Sequence, residues 1–250
     1  MTASSRIPVH ARTIDVRMTW PQALAWHLLP GAALTTVAIA GGALLHAVGL
    51  PAVWALLGGA IAVQVPLLLL LRARLTDRAS LHSLSTTPPQ GRSRRLTVFA
   101  VSLVAAVLLP GLAAWLEPLI RAHLFGWLPQ WWSTGLGSLA GSNASEAIVT
   151  LVLWFVGLVL LGPIAEELYF RGELLPRIPA RPWGRAVASA GLFAIYHLWQ
   201  PYAGLTVFLF SLPIAIARAR FGASPAACAA AHCLVNLGMF SALLSGILAR

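Results

Sequence analysis

The chain has 250 residues, of which 58% are hydrophobic and only 10% are charged, and its net charge is +10. A soluble globular domain is about half apolar and a quarter charged, so this composition excludes an ordinary soluble protein. The 17 basic residues are all arginine and cluster between apolar stretches. This distribution follows the positive-inside rule, so we expect a lipid bilayer, and not nucleic acid, as the partner of the basic segments.

Long apolar stretches predict an all-α fold, a polytopic transmembrane helical bundle of about seven spans. No cleavage-site pattern follows the first stretch, which indicates a retained helix and not a signal peptide. The expected spans cover residues 23–46, 50–71, 96–116, 145–178 with a kink at Gly162-Pro163, 185–199, 203–218 and 225–248.

The polar segments between the spans predict the orientation. Arginines are frequent in residues 1–22, in the loop 72–95, and after the fourth and sixth spans, whereas the opposite connections carry only Arg121. The loop 72–95 is expected to be flexible and cytoplasmic. The charge rule therefore predicts a multi-pass protein with a cytoplasmic N-terminus, and we expect a bacterial cell (inner) membrane.

Between the third and fourth spans, the sequence is mixed. Trp127, Trp131 and Trp132 predict a segment at the membrane interface, because tryptophan prefers the headgroup level. Residues 135–143 are rich in glycine and serine, which predicts a loop.

Two adjacent carboxylates, Glu166 and Glu167, interrupt the fourth apolar stretch. With Glu173 they are three of the seven acidic residues. Ionisable groups at membrane depth are costly and usually face the bundle interior with a function, although a cluster that merely ends a helix is the alternative. Glu167 and Arg171 have the i, i+4 spacing of an ion pair, which leaves Glu166 free to face a site. For Glu173 the alternatives are the lining of an entrance to the site and a position among the headgroups, and we expect the headgroups.

The last three spans contribute His197, His232 and Asn236. The i, i+4 spacing puts His232 and Asn236 on one helix face. Counted from the expected cytoplasmic boundaries, Glu166 and His197 lie about 18 Å deep, and His232 and Asn236 about 10 and 16 Å deep. Similar depth predicts one shared site, whereas each residue alone is also compatible with a hydrogen bond between packed helices.

Three short motifs occur in order along the late helices. They are Glu-Glu-x-x-x-Arg from Glu166 to Arg171, Phe-x-x-x-His from Phe193 to His197, and His-x-x-x-Asn from His232 to Asn236. Together they resemble the CPBP (CAAX protease and bacteriocin-processing, or Abi) family, which includes the Ras-converting type of CAAX prenyl endopeptidase. The resemblance implies N-terminal transmembrane helices with a basic cytoplasmic loop over residues 1–144 and a protease core over 145–250, in a single membrane domain.

The resemblance also implies roles for the polar residues. Glu166 and His197 would activate a water molecule as general base and partner, and His232 and Asn236 would stabilise the oxyanion of the tetrahedral intermediate. Such donors in a water-poor cavity stabilise developing charge strongly. The supporting residues would be Glu167, Arg171 and Phe193.

Members of this family are often called metalloproteases. Glu166, His197 and His232 would supply the two-histidine, one-glutamate set that binds zinc in other proteases. The sequence contains no His-Glu-x-x-His motif, and Asn236 is a poor zinc ligand but a good oxyanion donor. We therefore expect hydrolysis with no required cofactor, and zinc remains the alternative.

The expected function is that of an intramembrane endopeptidase acting on a membrane-embedded or lipidated (including prenylated) peptide or protein. The alternative is a non-catalytic membrane protein that uses the buried polar cluster for binding, either a transporter or an immunity or scaffold protein. Inverted repeats with paired broken helices would favour a transporter, and the sequence shows no such repeats.

Overall fold

A computed structural model describes residues 17–76, 91–129, 131–132 and 142–248. Within these ranges the protein has eight helices and no strand, which confirms the all-α prediction. The helices are α1 (Trp20–Ala47), α2 (Val53–Leu75), α3 (Arg92–Ala114), α4 (Glu117–Leu124), α5 (Ala144–Arg177), α6 (Pro182–Tyr196), α7 (Gly204–Phe221) and α8 (Pro225–Leu248). Three parts of the sequence prediction concern residues outside the described ranges. They are residues 1–16, residues 77–90 of the basic loop and residues 135–141 of the Gly-Ser-rich loop.

Six of the described helices are long and apolar enough to cross a membrane, so the protein is an integral multi-pass membrane protein. They are α1, α2, α3, α5, α8, and α7 together with its preceding 3-10 turn. The expected fifth span corresponds to α6, which has only 15 residues. At 1.5 Å per residue it is about 22 Å long, shorter than a hydrocarbon core of about 30 Å.

The short helix α6 nevertheless runs from one end of the bundle to the other. Its first turn lies beside the end of α7, where the Arg220 guanidinium is 5.1 Å from the Trp183 ring centre. The turn after α6 lies at the opposite end, where Trp132 Nε1 donates a hydrogen bond of 2.8 Å to the Trp199 carbonyl. The segment that follows α4 therefore covers the turn that follows α6.

The tryptophans before α5 differ from the expected interfacial group. Trp127 is 75% exposed, as a headgroup-level residue would be, but Trp132 is only 8% exposed. Its indole contacts the turn after α6, and Arg121 donates to the Trp132 carbonyl at 2.8 Å. Trp132 is therefore a packing residue of the bundle.

Glu173 lies in a buried ion-pair cluster, and its expected position among the headgroups is wrong. It is 2% exposed, and its Oε2 accepts from Arg177 Nη1 at 2.9 Å, while Arg72 Nε lies 3.5 Å from Oε1. Arg177 also donates to the carbonyl of Leu75, and its own carbonyl accepts from the Met18 amide at 2.9 Å. This cluster joins the end of α5 to the end of α2 and to the segment that enters α1.

The expected interruption of the fourth span is present as a change of helix type in α5. Two π-helical stretches, Phe155–Leu161 and Glu167–Leu174, flank the α-helical turn that starts at Gly162. The Gly162 amide donates to the Gly157 carbonyl five residues earlier, and a side chain at position 162 would lie 2.6 Å from that oxygen. Such wide turns are frequent at functional sites, and this one immediately precedes the two glutamates.

The helices α1 and α6 are in close contact at Gly31. A Cβ atom at this position would lie 2.1 Å from the Tyr196 carbonyl oxygen and 2.9 Å from Cδ2 of the same ring. Only a residue without a side chain permits this approach, which holds the end of α6 in the interior of the bundle.

Candidate active site

Glu166 lies in the middle of α5 and is 6% exposed. One of its oxygens, Oε1, accepts two hydrogen bonds: one from Gln64 Nε2 at 3.0 Å and one from the Tyr196 hydroxyl at 3.0 Å. Gln64 ends the π-helical stretch of α2, and Tyr196 is the last residue of α6. Three helices therefore meet at this carboxylate.

The neighbouring carboxylate, Glu167, is fully buried and has two basic partners. His232 Nδ1 donates to its Oε1 at 3.1 Å. Arg171 Nε lies 3.2 Å from its Oε2, so the expected ion pair is present, although this contact does not have the angles of a hydrogen bond. Because Arg171 also donates to the Ser211 hydroxyl and stacks 4.3 Å from the Phe193 ring centre, its position is set by three helices.

His232 stands between the two glutamates. Its Nε2 lies 4.0 Å from Glu166 Oε2, which is too far for a direct hydrogen bond, whereas its Nδ1 contacts Glu167. A single water molecule can hydrogen bond to two polar atoms at this separation. Gln64 and Tyr196 both bind Oε1 of Glu166. The other oxygen, Oε2, therefore stays free and faces His232.

His197 follows the last residue of α6 and is near this cluster without being hydrogen bonded to it among the described residues. Its Nδ1 donates to the Phe193 carbonyl at 2.8 Å, which leaves Nε2 as the acceptor nitrogen. The Phe193 ring centre is 4.7 Å from the His197 ring and 6.1 Å from the His232 ring. Phe193 therefore packs between the two histidines.

Asn236 lies one turn after His232 on α8. Its Nδ2 donates to the Leu158 carbonyl at 2.7 Å, in the first π-helical stretch of α5. A carboxamide has two N–H donors, so one remains for another acceptor. His232 and Asn236 thus lie on one face of α8, as expected, and this face packs along α5. Asn236 contacts the first π-helical stretch of α5 and His232 contacts the second.

The donor groups of the cluster do not form a zinc site. Among the described residues, no group of three His, Cys, Asp or Glu side chains is arranged to hold a metal ion. Glu166 Oε1 is taken by two neutral donors, and His232 Nδ1 by Glu167. Glu166 and His232 are brought together, and among the described residues His197 is not grouped with them as a third ligand.

The sequence interpretation missed three residues of the cluster, Gln64, Tyr196 and Ser211. Gln64 had a usable signal, because it is a lone amide in an apolar stretch, and such a group needs a partner at membrane depth. Tyr196 and Ser211 had none, since tyrosine and serine are common in membrane helices.

The fold and the cluster define a multi-pass membrane protein with a buried carboxylate–histidine site. Residues 148–238 match the family model described as Rce1-like, Type II CAAX prenyl endopeptidase Rce1-like. This region contains the three motifs from Glu166 to Asn236, and its match confirms the resemblance to that family of proteases. No curated protein and no solved structure matches the chain.

The buried ion pair generates a prediction about stability. Arg171→Ala should lower the free energy of unfolding by roughly 3 kcal/mol, because it leaves Glu167 buried without its cationic partner. Thermal unfolding in detergent measures this change, and Arg74→Ala, which removes an exposed arginine of α2, serves as the control. Unfolding and cleavage equal to those of the wild type in Arg171→Ala would contradict the ion-pair assignment.

Proposed function

We propose that this protein is an intramembrane endopeptidase that hydrolyses a peptide bond of a membrane-associated protein or peptide, with prenylated or otherwise lipidated chains as the substrate class. The observation that carries the proposal is the buried approach of Glu166 Oε2 to His232 Nε2 inside the region that matches an endopeptidase family. A carboxylate and an imidazole at this spacing suit a bound water molecule and a polarised carbonyl group.

Activation of the water is assigned to Glu166 and His197. Glu166 keeps Oε2 free for a proton, while its other oxygen is held by two donors. His197 keeps Nε2 as an acceptor, because its Nδ1 proton is bound to the Phe193 carbonyl. A carboxylate or an imidazole with a free acceptor atom can take the proton of an attacking water and later return it to the leaving amine.

Stabilisation of the oxyanion is assigned to His232 and Asn236. Asn236 has one N–H beyond the one that binds Leu158. For His232 to donate from Nε2 while Nδ1 donates to Glu167, the ring must carry both protons, and the Glu167 carboxylate is its counter-charge. The pair Glu167 and Arg171 supports this arrangement by holding the imidazole in one orientation.

We propose the same orientation in the membrane as the arginine distribution predicts. In the described structure Arg72, Arg177, Arg185, Arg218 and Arg220 all lie toward the end of the bundle where α5 terminates. By the positive-inside rule this end is cytoplasmic.

This orientation predicts the location of the two chain ends. With α6 counted as a seventh crossing, the N-terminus is cytoplasmic and the C-terminus lies on the other side. A reporter enzyme fused after Arg250 should therefore be active only outside the cytoplasm, and the same reporter placed in the connection between α2 and α3 should be cytoplasmic. A cytoplasmic reading after Arg250 would contradict the arrangement of seven spans.

The catalytic assignment predicts different effects at the two glutamates. Glu166→Gln keeps size and hydrogen bonding but removes the base, so it should abolish cleavage without unfolding the protein. Glu167→Gln should retain partial activity, because its amide oxygen still accepts from His232. Comparison of the membrane proteomes of cells with wild type and with Glu166→Gln identifies the cleaved peptide, and purified enzyme in liposomes then gives the rates.

Two outcomes would contradict the catalytic assignment. Cleavage equal to that of the wild type in both Glu166→Gln and Glu167→Gln would rule out the protease proposal and favour binding alone. An inactive Glu167→Gln beside a fully active Glu166→Gln would instead reverse the roles of the two carboxylates.

The proposed chemistry needs no step through a metal ion, and this is testable. Purified enzyme treated with a strong chelator and then desalted should keep its rate of cleavage within about twofold, because no group of three zinc ligands is arranged among the described residues. Stoichiometric zinc in active enzyme, with loss of cleavage on chelation and recovery on addition of zinc, would reverse this part of the proposal.

A further inference from the structure

Gln64 lies in the N-terminal part of the chain and yet contacts the candidate catalytic glutamate. It is 1% exposed and ends the π-helical stretch Ala60–Gln64 of α2. Its Nε2 donates to Glu166 Oε1 at 3.0 Å, across 102 positions of sequence. Gln64 lies outside the region 148–238 that matches the family model, so this contact is a contribution of the preceding helices.

Tyr196 makes the second contact to the same oxygen. Its hydroxyl donates to Glu166 Oε1 at 3.0 Å, and its ring is fully buried at the end of α6. The close approach of Gly31 to the Tyr196 backbone and ring fixes where this hydroxyl lies. Two rigidly held donors therefore occupy one oxygen of the carboxylate, and the other oxygen faces His232 at 4.0 Å.

We propose that Gln64 and Tyr196 are positioning residues that make Oε2 the oxygen of Glu166 that accepts the proton of the attacking water. This inference rests on the proposed function and deepens it. Two hydrogen bonds fill the acceptor directions of Oε1 and prevent rotation of the carboxylate group. A base held in one orientation reacts faster than one that must be oriented in each turnover.

The chemistry of the donors suits this role. Gln64 and Tyr196 are both neutral donors, so they hold the carboxylate without cancelling the negative charge that a base needs. The charged groups around Glu166 are Glu167 and Arg171 on α5 and His232 on α8, and Arg171 is paired with Glu167. If arginine replaced either neutral donor, its guanidinium would form a direct ion pair with the Glu166 carboxylate. The carboxylate would then be a weaker acceptor for the proton of the water molecule.

A purely structural role for Gln64 would be redundant. The helices α2 and α5 are already joined near their opposite ends, by Trp54 Nε1 donating to the Thr150 hydroxyl at 2.8 Å and by Arg177 donating to the Leu75 carbonyl. An apolar side chain at position 64 would pack between these helices without the cost of burying an amide. The amide is therefore explained by the carboxylate that it contacts.

The test compares Gln64→Met, which keeps the length of the side chain but removes the donor, with Tyr196→Phe and with Thr150→Val. In each of the first two variants, kcat for the membrane peptide should fall about 10- to 100-fold, the loss that one hydrogen bond to a charged group represents, while KM changes less than about threefold. Thr150→Val breaks a hydrogen bond between the same two helices about 24 Å along α5 from Glu166, so kcat should be unchanged.

Gln64→Glu separates positioning from structural damage. When the introduced carboxyl group is protonated it can donate as the amide does, and when it is ionised it repels Glu166. The rate of this variant relative to that of the wild type should therefore rise as the pH falls, whereas Gln64→Met should stay slow relative to the wild type at every pH. A misfolded Gln64→Glu variant would instead stay slow relative to the wild type at every pH.

Infrared spectroscopy of the enzyme without substrate tests the positioning role independently of the proposed protease activity. The infrared carboxylate bands of Glu166, assigned by their loss in Glu166→Gln, should shift in Gln64→Met and stay in place in Thr150→Val. Unshifted bands, or a wild-type kcat in Gln64→Met while Glu166→Gln is inactive, would overturn the positioning role and leave the protease proposal standing. Full activity of both Glu166→Gln and Glu167→Gln would overturn the protease proposal itself.

Discussion

The burial of two adjacent carboxylates in α5 is the constraint on which the arrangement of the bundle depends. Neither Glu166 nor Glu167 has water to solvate it, and an ionised carboxylate without partners inside a protein is costly enough to prevent folding. The compensation comes from donors on three other helices, Gln64 on α2, Tyr196 on α6 and His232 on α8, and from Arg171 on α5, which itself donates to the Ser211 hydroxyl on α7. These helices must therefore pack around one point of α5, and the packing of the membrane domain follows from the solvation of the two charges.

The wide turns of α5 make this convergence possible. In a regular helix, adjacent residues point about 100° apart, so two neighbouring glutamates would not both face partners in the interior. The change to π-helical geometry from Glu167 onward, after the turn that begins at Gly162, alters the direction of successive side chains. It lets Glu166 face α2 and α6 while Glu167 faces α8. The helix α2 also contains a π-helical stretch, Ala60–Gln64, and the side-chain amide of Gln64 at its end donates to Glu166.

Local spacing predicted part of this arrangement, and distant partners explain the rest. The i, i+4 order of Glu167 and Arg171 was sufficient to predict their pairing, because both residues lie on one helix. The same kind of counting failed for Glu173, since the partner on α2, Arg72, is distant in sequence. Gln64 was overlooked for the same reason, although a lone amide at membrane depth needs a partner. The depth count predicted one shared site for Glu166, His197, His232 and Asn236. It could not show that His197 bonds to its own helix, because side-chain direction depends on where α6 ends.

The two glutamates differ in the kind of partner that each one has, and this difference separates their chemistry. Glu167 contacts the Arg171 guanidinium and the His232 imidazole, so its negative charge is paired with these two groups and holds them in position. Glu166 has two neutral donors on one oxygen, and the His232 ring lies 4.0 Å from the other, so its charge is held in place by hydrogen bonds without direct contact to a cation. A carboxylate bound to a cation is a weak proton acceptor, whereas one bound by neutral donors keeps an acceptor atom available. Residues of identical type and adjacent position thus become a structural anion and a candidate base, through partners that the helices on either side supply.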